Sequence, residues 1–184
     1  MNKTWMVIDV ESIGLHGEAF AVGVVQIVDG LKFNEFTIAC SPSQSKGTDL
    51  DREWVDKNCP PIDSLFFSPR EVRDEFWDRW MCWQERFSPD TLIAECSWPV
   101  ETSFISRCIS DEPNSRNWLG PYPMHDLASM RLIKGFDPLA TLPRLPGELP
   151  AHHPLHDARQ SARLLMELIN DEPNYASSFG GDVP

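Results

Sequence analysis

Residues 4–15 read Thr4-Trp5-Met6-Val7-Ile8-Asp9-Val10-Glu11-Ser12-Ile13-Gly14-Leu15, a short apolar run that ends in acids. The run 4–10 has the length and content of a central strand, buried on both faces. Side chains two apart on a strand share a face, so Asp9 and Glu11 project together. Two carboxylates side by side at the end of a buried strand repel each other and lose hydration, a cost that a cation between them removes. All-oxygen ligands of this kind suit Mg²⁺ or Mn²⁺. Acids at strand ends are common, so the pair alone is more often a strand end opening into a loop.

The neighbouring sequence extends the strand into a sheet. Residues 19–28 (AFAVGVVQIV) form a nearly continuous β-branched run, Asp29-Gly30 is a hairpin turn, and 31–40 (LKFNEFTIAC) alternate as a third strand. Residues 41–67, rich in Ser, Pro and Asp, read as loop with one short helix near Trp54. Ser68-Pro69-Arg70-Glu71 is a capping box with Pro at the first helical position. Behind it Val72, Phe76, Trp77, Trp80, Met81 and Phe87 recur at helical spacing. Such a stripe is a core face more often than a base-stacking platform. Residues 91–96 (TLIAEC) read as a fourth, buried strand. Helices are expected from about Pro99 to Ile109, from Asp126 to Gly135 and from about Leu155 to Ile169, with polar loop at 111–120 and irregular Pro-rich chain at 138–150. Strands first, then helix alternating with strand, imply an α/β fold with a mixed sheet and helices on its faces.

Bulk composition narrows the setting. The chain has 184 residues, enough for one domain, and 41% hydrophobic content, enough for a sizeable core. No apolar run reaches the ~18–20 residues of a membrane span, so no membrane partner is expected. The opening Met1-Asn2-Lys3-Thr4-Trp5 lacks the pattern of a signal peptide. The five cysteines (Cys40, Cys59, Cys82, Cys96 and Cys108) include no CxxC pair and leave an odd count. That argues against a disulfide framework or zinc cluster and fits a cytoplasmic setting. The net charge of −12 argues against a general nucleic-acid binder with a broad basic surface. It leaves either no nucleic-acid contact or contact with a few nucleotides through bound cations.

Two motifs at opposite ends of the chain decide between these. Asp9-Val10-Glu11-Ser12-Ile13-Gly14-Leu15 resembles the first motif of the DEDDh 3′–5′ exonucleases, D-x-E-[ST]-x-G-L. His152-His153-Pro154-Leu155-His156-Asp157-Ala158 resembles that family's H-x4-D-A. The resemblance implies a ribonuclease H-like mixed central sheet flanked by helices, over an exonuclease domain at 1–170 with a C-terminal tail at 171–184. It implies metal ligation by Asp9, Glu11 and Asp157, with His152 as general base. It also lays Ser12, Gly14 and Leu15 against the terminal nucleotide. Three histidines fall between 152 and 156, and His156 is the rival base; the spacing to Asp157 favours His152.

The middle acid departs from the pattern. The family places an Asp after an aromatic early in a helix that follows a strand. Here Ile93-Ala94-Glu95-Cys96-Ser97-Trp98-Pro99-Val100-Glu101 follows that shape with one extra residue, and Phe104-Ile105 match the trailing apolar pair. Glu101 therefore stands where Asp is expected, with Glu95 as the competing candidate. The added methylene moves the ligating oxygen by over ~1 Å and would suit a more permissive, Mn²⁺-favouring site. Asp126 resembles the Asp that opens the helix after the next strand, and is read as an N-cap.

The function implied is hydrolysis at a nucleic-acid 3′ end with release of nucleoside 5′-monophosphates. Two Mg²⁺ or Mn²⁺ ions ~3.5–4 Å apart would activate the water and steady the leaving oxygen. The partner expected is single-stranded DNA or RNA with a free 3′ end, and a homodimer is compatible with the sequence. Two alternatives stay open: a catalytically weak or inactive member that binds nucleic acid or nucleotides, and a ribonuclease H-type endonuclease. Nothing in the sequence chooses DNA or RNA, or assigns a role to the 41–67 insert.

Overall fold

The structure is a computed structural model that describes residues 4–87 and 91–170; the tail expected at 171–184 lies outside the described residues. Five strands, β1 (Thr4–Ser12), β2 (Ala19–Val28), β3 (Leu31–Ala39), β4 (Thr91–Ala94) and β5 (Met124–Asp126), form one sheet in the order β3-β2-β1-β4-β5. The pairs β3-β2 and β2-β1 are antiparallel, whereas β1-β4 and β4-β5 are parallel. The hairpin turns on Asp29 and Gly30 with φ of 52° and 79°, the two positive values that a two-residue type I′ turn needs. β1 runs two residues further than the apolar run, so both Asp9 and Glu11 lie on it. β4 ends at Ala94, two residues earlier than expected, which leaves Glu95 and Cys96 in the loop beyond it.

The central strand feeds two cores. Met6, Ile8 and Val10 face helix α2 (Pro69–Phe87) and helix α3 (Val100–Asp111), packing with Phe76, Trp80, Phe104 and Cys108. Val7 faces the other way, with Val25, Ile27, Ile93 and Leu127, beneath Ala158, Ala162 and Leu165 of the final helix. Asp9 and Glu11 continue the odd-numbered series, so the pleat turns them toward the face that this final helix covers.

The helices begin where the capping signals stand. The Ser68 hydroxyl accepts from the Glu71 amide at 3.2 Å, and Glu71 in turn accepts from the Phe67 amide, one residue outside the reciprocal position of a strict capping box. The Trp stripe of α2 is core, as its spacing implies. Val72, Phe76, Trp77 and Trp80 are buried and Met81 and Phe87 half-buried, and Trp80 satisfies its indole N–H on the Leu119 carbonyl at 2.9 Å. Within the expected loop at 111–120 a one-turn helix, Pro113–Arg116, brings buried Arg116 onto Asp74 of α2 and the Cys108 carbonyl of α3. Arg73, also buried, joins Glu18 before β2 to Asp111 at the end of α3. These bonds fix α3 against α2, and hence the direction in which the start of α3 points.

The 41–67 segment holds a short 3-10 helix, Pro42–Gln44, and one α-helix, α1 (Asp49–Asn58), with Thr48 as its N-cap. Numbering in chain order, Pro113–Arg116 is α4, Leu127–Ile133 is α5 and Pro154–Asn170 is α6. Asp126 caps α5 as expected, accepting from the Ser129 amide, and its second oxygen takes the Ser97 amide and hydroxyl.

Candidate active site

Three parallel strands, β1, β4 and β5, end at one edge of the sheet, and two helices begin there. Ligand crevices in open α/β sheets lie at such carboxyl ends. Glu101 sits in the first turn of α3 and Asp157 in the first turn of α6, where the free N–H groups and the helix dipole favour negative charge. The strand supplies Asp9 and Glu11. Four acids from three elements thus converge where the cores of the two faces give way to loop.

A glycine sets how closely α6 approaches. Gly23 of β2 is the register partner of Asp9, and a Cβ placed there would lie 2.1 Å from the carbonyl carbon of Pro154. The first turn of α6 therefore rests on bare backbone, beside the two acids of β1. An isolated Gly inside a β-branched run is itself a sequence signal for such an approach.

The histidine cluster separates cleanly. One ligand atom each from Glu11, His152 and Asp157 lie within 4.8 Å of one another. The His152 amide donates to Asp157 Oδ2 at 3.1 Å, and His152 adopts φ of 60°. That left-handed conformation is costly for a side chain with a Cβ, and marks a position held by its surroundings. His153 and His156 instead stack on each other at 4.1 Å, and His156 Nδ1 contacts the Pro150 carbonyl.

The 41–67 segment borders this cluster. Trp54 of α1 meets the His152 ring edge-on, with centroids 5.1 Å apart. The Cys59 thiol, at the end of α1, lies 3.9 Å from Glu11 Oε2, and burial and Glu11 push that thiol up to about 12. Gly14, at φ of 72°, faces Asp51, whose Cγ would lie 2.5 Å from a Cβ on the glycine. Ser12 donates its hydroxyl to the Gly14 carbonyl at 2.7 Å, closing the loop after β1, and Leu15 beyond it is 66% exposed.

Electrostatics follow from the crowding. Burial, and then Asp157 and Glu101, raise Glu11 to about 7, against smaller lowering effects of Cys59 and Arg144. Burial raises Glu101 to about 7 although Val10 donates its amide to Glu101 Oε1 at 3.4 Å. Asp9 is raised well above the carboxylate range by loss of water and by Glu11, Glu101, Asp157 and Glu95 in that order. Glu101 thus touches the backbone between the two strand acids. Glu95 is tied instead to α6, accepting from Ser161 at 3.2 Å. Arg144, from the Pro-rich stretch, reaches Asp157 Oδ1 at 2.5 Å. Neither Arg144 nor Trp54 sits in a motif, and Arg144 had no sequence signal.

The fold and this edge define a ribonuclease H-like α/β domain with a cluster of carboxylates at the carboxyl ends of its central strands. Among solved structures, a zinc-bound complex of E. coli exonuclease I with single-stranded DNA matches with a TM-score of 0.66 at 8% identity. That match covers 95% of this chain, which spans 42% of the exonuclease I chain. Exonuclease X in complex with 5′-overhanging duplex DNA matches with a TM-score of 0.54 at 15% identity, over 91% of this chain and 92% of that one. No family model and no curated protein matches the sequence. Among the described residues no helix is long and apolar enough to cross a membrane.

Proposed function

We propose that the chain is a metal-dependent 3′→5′ exonuclease that removes nucleoside 5′-monophosphates from a single-stranded DNA or RNA 3′ end. The observation that carries this reading is the convergence of Asp9, Glu11, Glu101 and Asp157 beside His152, on a fold shared with two exonucleases. The four carboxylates fit divalent cations of the Mg²⁺ or Mn²⁺ type. Their donors are hard oxygens, and burial together with the neighbouring carboxylates raises three of them, Glu11 and Glu101 to about 7 and Asp9 well above its ordinary range. Asp9, Glu11, Glu101 and Asp157 would hold two ions. When bound, such ions supply charge neutralisation and stabilise the oxygens that gain charge during hydrolysis.

The chain's own groups do the rest. His152, exposed at the rim, with its backbone N–H donating to Asp157 Oδ2 and its ring against Trp54, accepts the proton of the attacking water at a ring nitrogen. The attacking water replaces the 3′ oxygen of the penultimate nucleotide on phosphorus. Its oxygen stays on the departing 5′-phosphate, and the released 3′ oxygen gains a proton. Ser12, Gly14 and Leu15 form the wall beside the acids against which the terminal nucleotide would lie, with exposed Leu15 meeting the base. The route past this wall also runs beside α1, which gives the 41–67 segment a part in substrate entry.

Analysis of products tests the reading. Single-stranded DNA and RNA oligomers incubated with Mg²⁺ or Mn²⁺ are expected to yield nucleoside 5′-monophosphates, and chelation with EDTA should stop their release. Internal cleavage into oligonucleotides would point to an endonuclease on the same fold. Tight binding without any cleavage would point to a nucleic-acid-binding protein, with the extra methylene of Glu101 as the reason.

A further inference from the structure

Arg144 is a cation at this edge that no motif accounts for. It belongs to the Pro-rich segment before α6, which is clamped to that helix. Arg163 holds Glu148 with bonds of 2.7 and 2.9 Å and takes the Pro143 carbonyl at 3.0 Å, while Arg159 takes the Gly147 carbonyl at 3.0 Å. The Glu148 carboxylate accepts in turn from the Leu145 amide at 2.9 Å. The backbone that carries Arg144 is thus fixed on both sides.

The guanidinium spends one nitrogen on the protein. Nη1 donates to Asp157 Oδ1 and to the Glu148 carbonyl at 3.0 Å. Among the described residues, Nε and Nη2 meet no acceptor, although the side chain is only 24% exposed. An arginine offers its donors in a rigid planar fork, and the Nε–Nη2 edge matches two oxygens of one phosphate. Other arginines around α6 are consumed: Arg159 on Glu35, Arg163 on Glu148.

We propose that Arg144 is a phosphate-contacting residue of the site: with Nη1 tied to Asp157, its Nε and Nη2 edge receives the phosphate of the nucleotide being released. This rests on the exonuclease reading, because it takes the 5′-phosphate of the product as ligand. It gives a chain of net charge −12 a fixed cation at the reacting group, so affinity for the phosphate does not depend on metal ions alone. The same bond to Asp157 keeps the fork at a constant place relative to the acids.

The test compares adenosine and deoxyadenosine with their 5′-monophosphates, titrated into wild-type protein, Arg144→Gln and Arg144→Lys in the presence of Mn²⁺. Mn²⁺ itself is titrated into each in a separate series, and thermal melting establishes that each is folded. Wild type is expected to prefer the monophosphates. Arg144→Gln should lose roughly 10- to 100-fold of that preference, the range for a hydrogen bond to a charged group. Arg144→Lys, which keeps the charge but not the fork, should fall between them, and Mn²⁺ affinity should stay within a few-fold. An unchanged preference for the monophosphate in Arg144→Gln would overturn the proposal. So would a loss of Mn²⁺ binding as large as that of Asp157→Asn, which would make Arg144 a support for Asp157 alone. If Arg144→Gln does not fold, Arg144→Lys decides on the same two readouts. Wild-type protein that binds Mn²⁺ but neither monophosphate would overturn the exonuclease reading and this proposal with it.

Discussion

Replacing Glu11 by Gln should stabilise the metal-free protein at pH 8 while abolishing its response to metal. The Glu11 carboxyl is moved from 4.5 to about 7, chiefly by burial and secondly by Asp157. A carboxylate raised in this way keeps its proton in the folded state at pH values where the unfolded chain has lost it. Folding stability therefore falls as pH rises from 4.5 to about 7 and stays low above it. The full difference corresponds to about 3 kcal/mol for one group. Because Asp9, Glu101 and Asp157 relax when Glu11 loses its charge, a gain of ~1–3 kcal/mol is expected, with coupling between neighbours absorbing the rest. For a domain of this size that is a rise in melting temperature of roughly 3–10 °C. The assay is thermal melting of wild type and Glu11→Gln in EDTA at pH 5 and pH 8, then with Mg²⁺ or Mn²⁺ added. The variant should melt higher than wild type at pH 8 and nearly with it at pH 5, and metal should reverse the order. A variant that melts at or below wild type at pH 8 in EDTA would refute the claim that these carboxylates are held together at a cost.

Three further outcomes follow from the same geometry. His152→Ala should lower turnover by ~10²–10⁴ while leaving the metal-induced rise in melting temperature near that of wild type, measured by steady-state kinetics alongside melting. Gly23→Ala should destabilise the fold by ~1–3 kcal/mol in chemical denaturation, because its Cβ would meet the backbone of Pro154 and push α6 from the sheet. Metal affinity, followed by Mn²⁺ titration across pH, should weaken as pH falls below about 7, where Glu11 and Glu101 take up protons that compete with the ion.

The parts of the fold that were legible in the sequence are those with a strong local cause. The β1 run and the Asp29-Gly30 turn define the antiparallel half of the sheet, and the Ser68 hydroxyl takes the Glu71 amide at the start of α2, where expected. The common face of Asp9 and Glu11 follows from the pleat. The parallel half was harder to read. β5 has three half-buried residues, Met124–Asp126, too few to show a period, and β4 stops at Ala94, with Glu95 and Cys96 left in the loop. At the site, motif spacing pointed to His152 among three histidines, and the structure brings His152 to Glu11 and Asp157 while His153 and His156 pair with each other. What escaped reading is contact across long sequence separation. Trp54 on His152 and Arg144 on Asp157 depend on how α1 and the Pro-rich segment fold back, and neither residue carries a local pattern. Gly23 was legible in principle, since a bare backbone inside a β-branched strand asks for something to lie on it.

Directional removal of nucleotides is read from strands of known polarity. DNA and RNA single strands labelled at the 5′ end are incubated with the protein and Mg²⁺ or Mn²⁺, then resolved at single-nucleotide steps. A ladder that shortens one nucleotide at a time from the 3′ end, lost in EDTA and in Asp9→Ala, is the predicted result. Full-length strands in both metals, from protein shown to be folded by its melting transition, would contradict it.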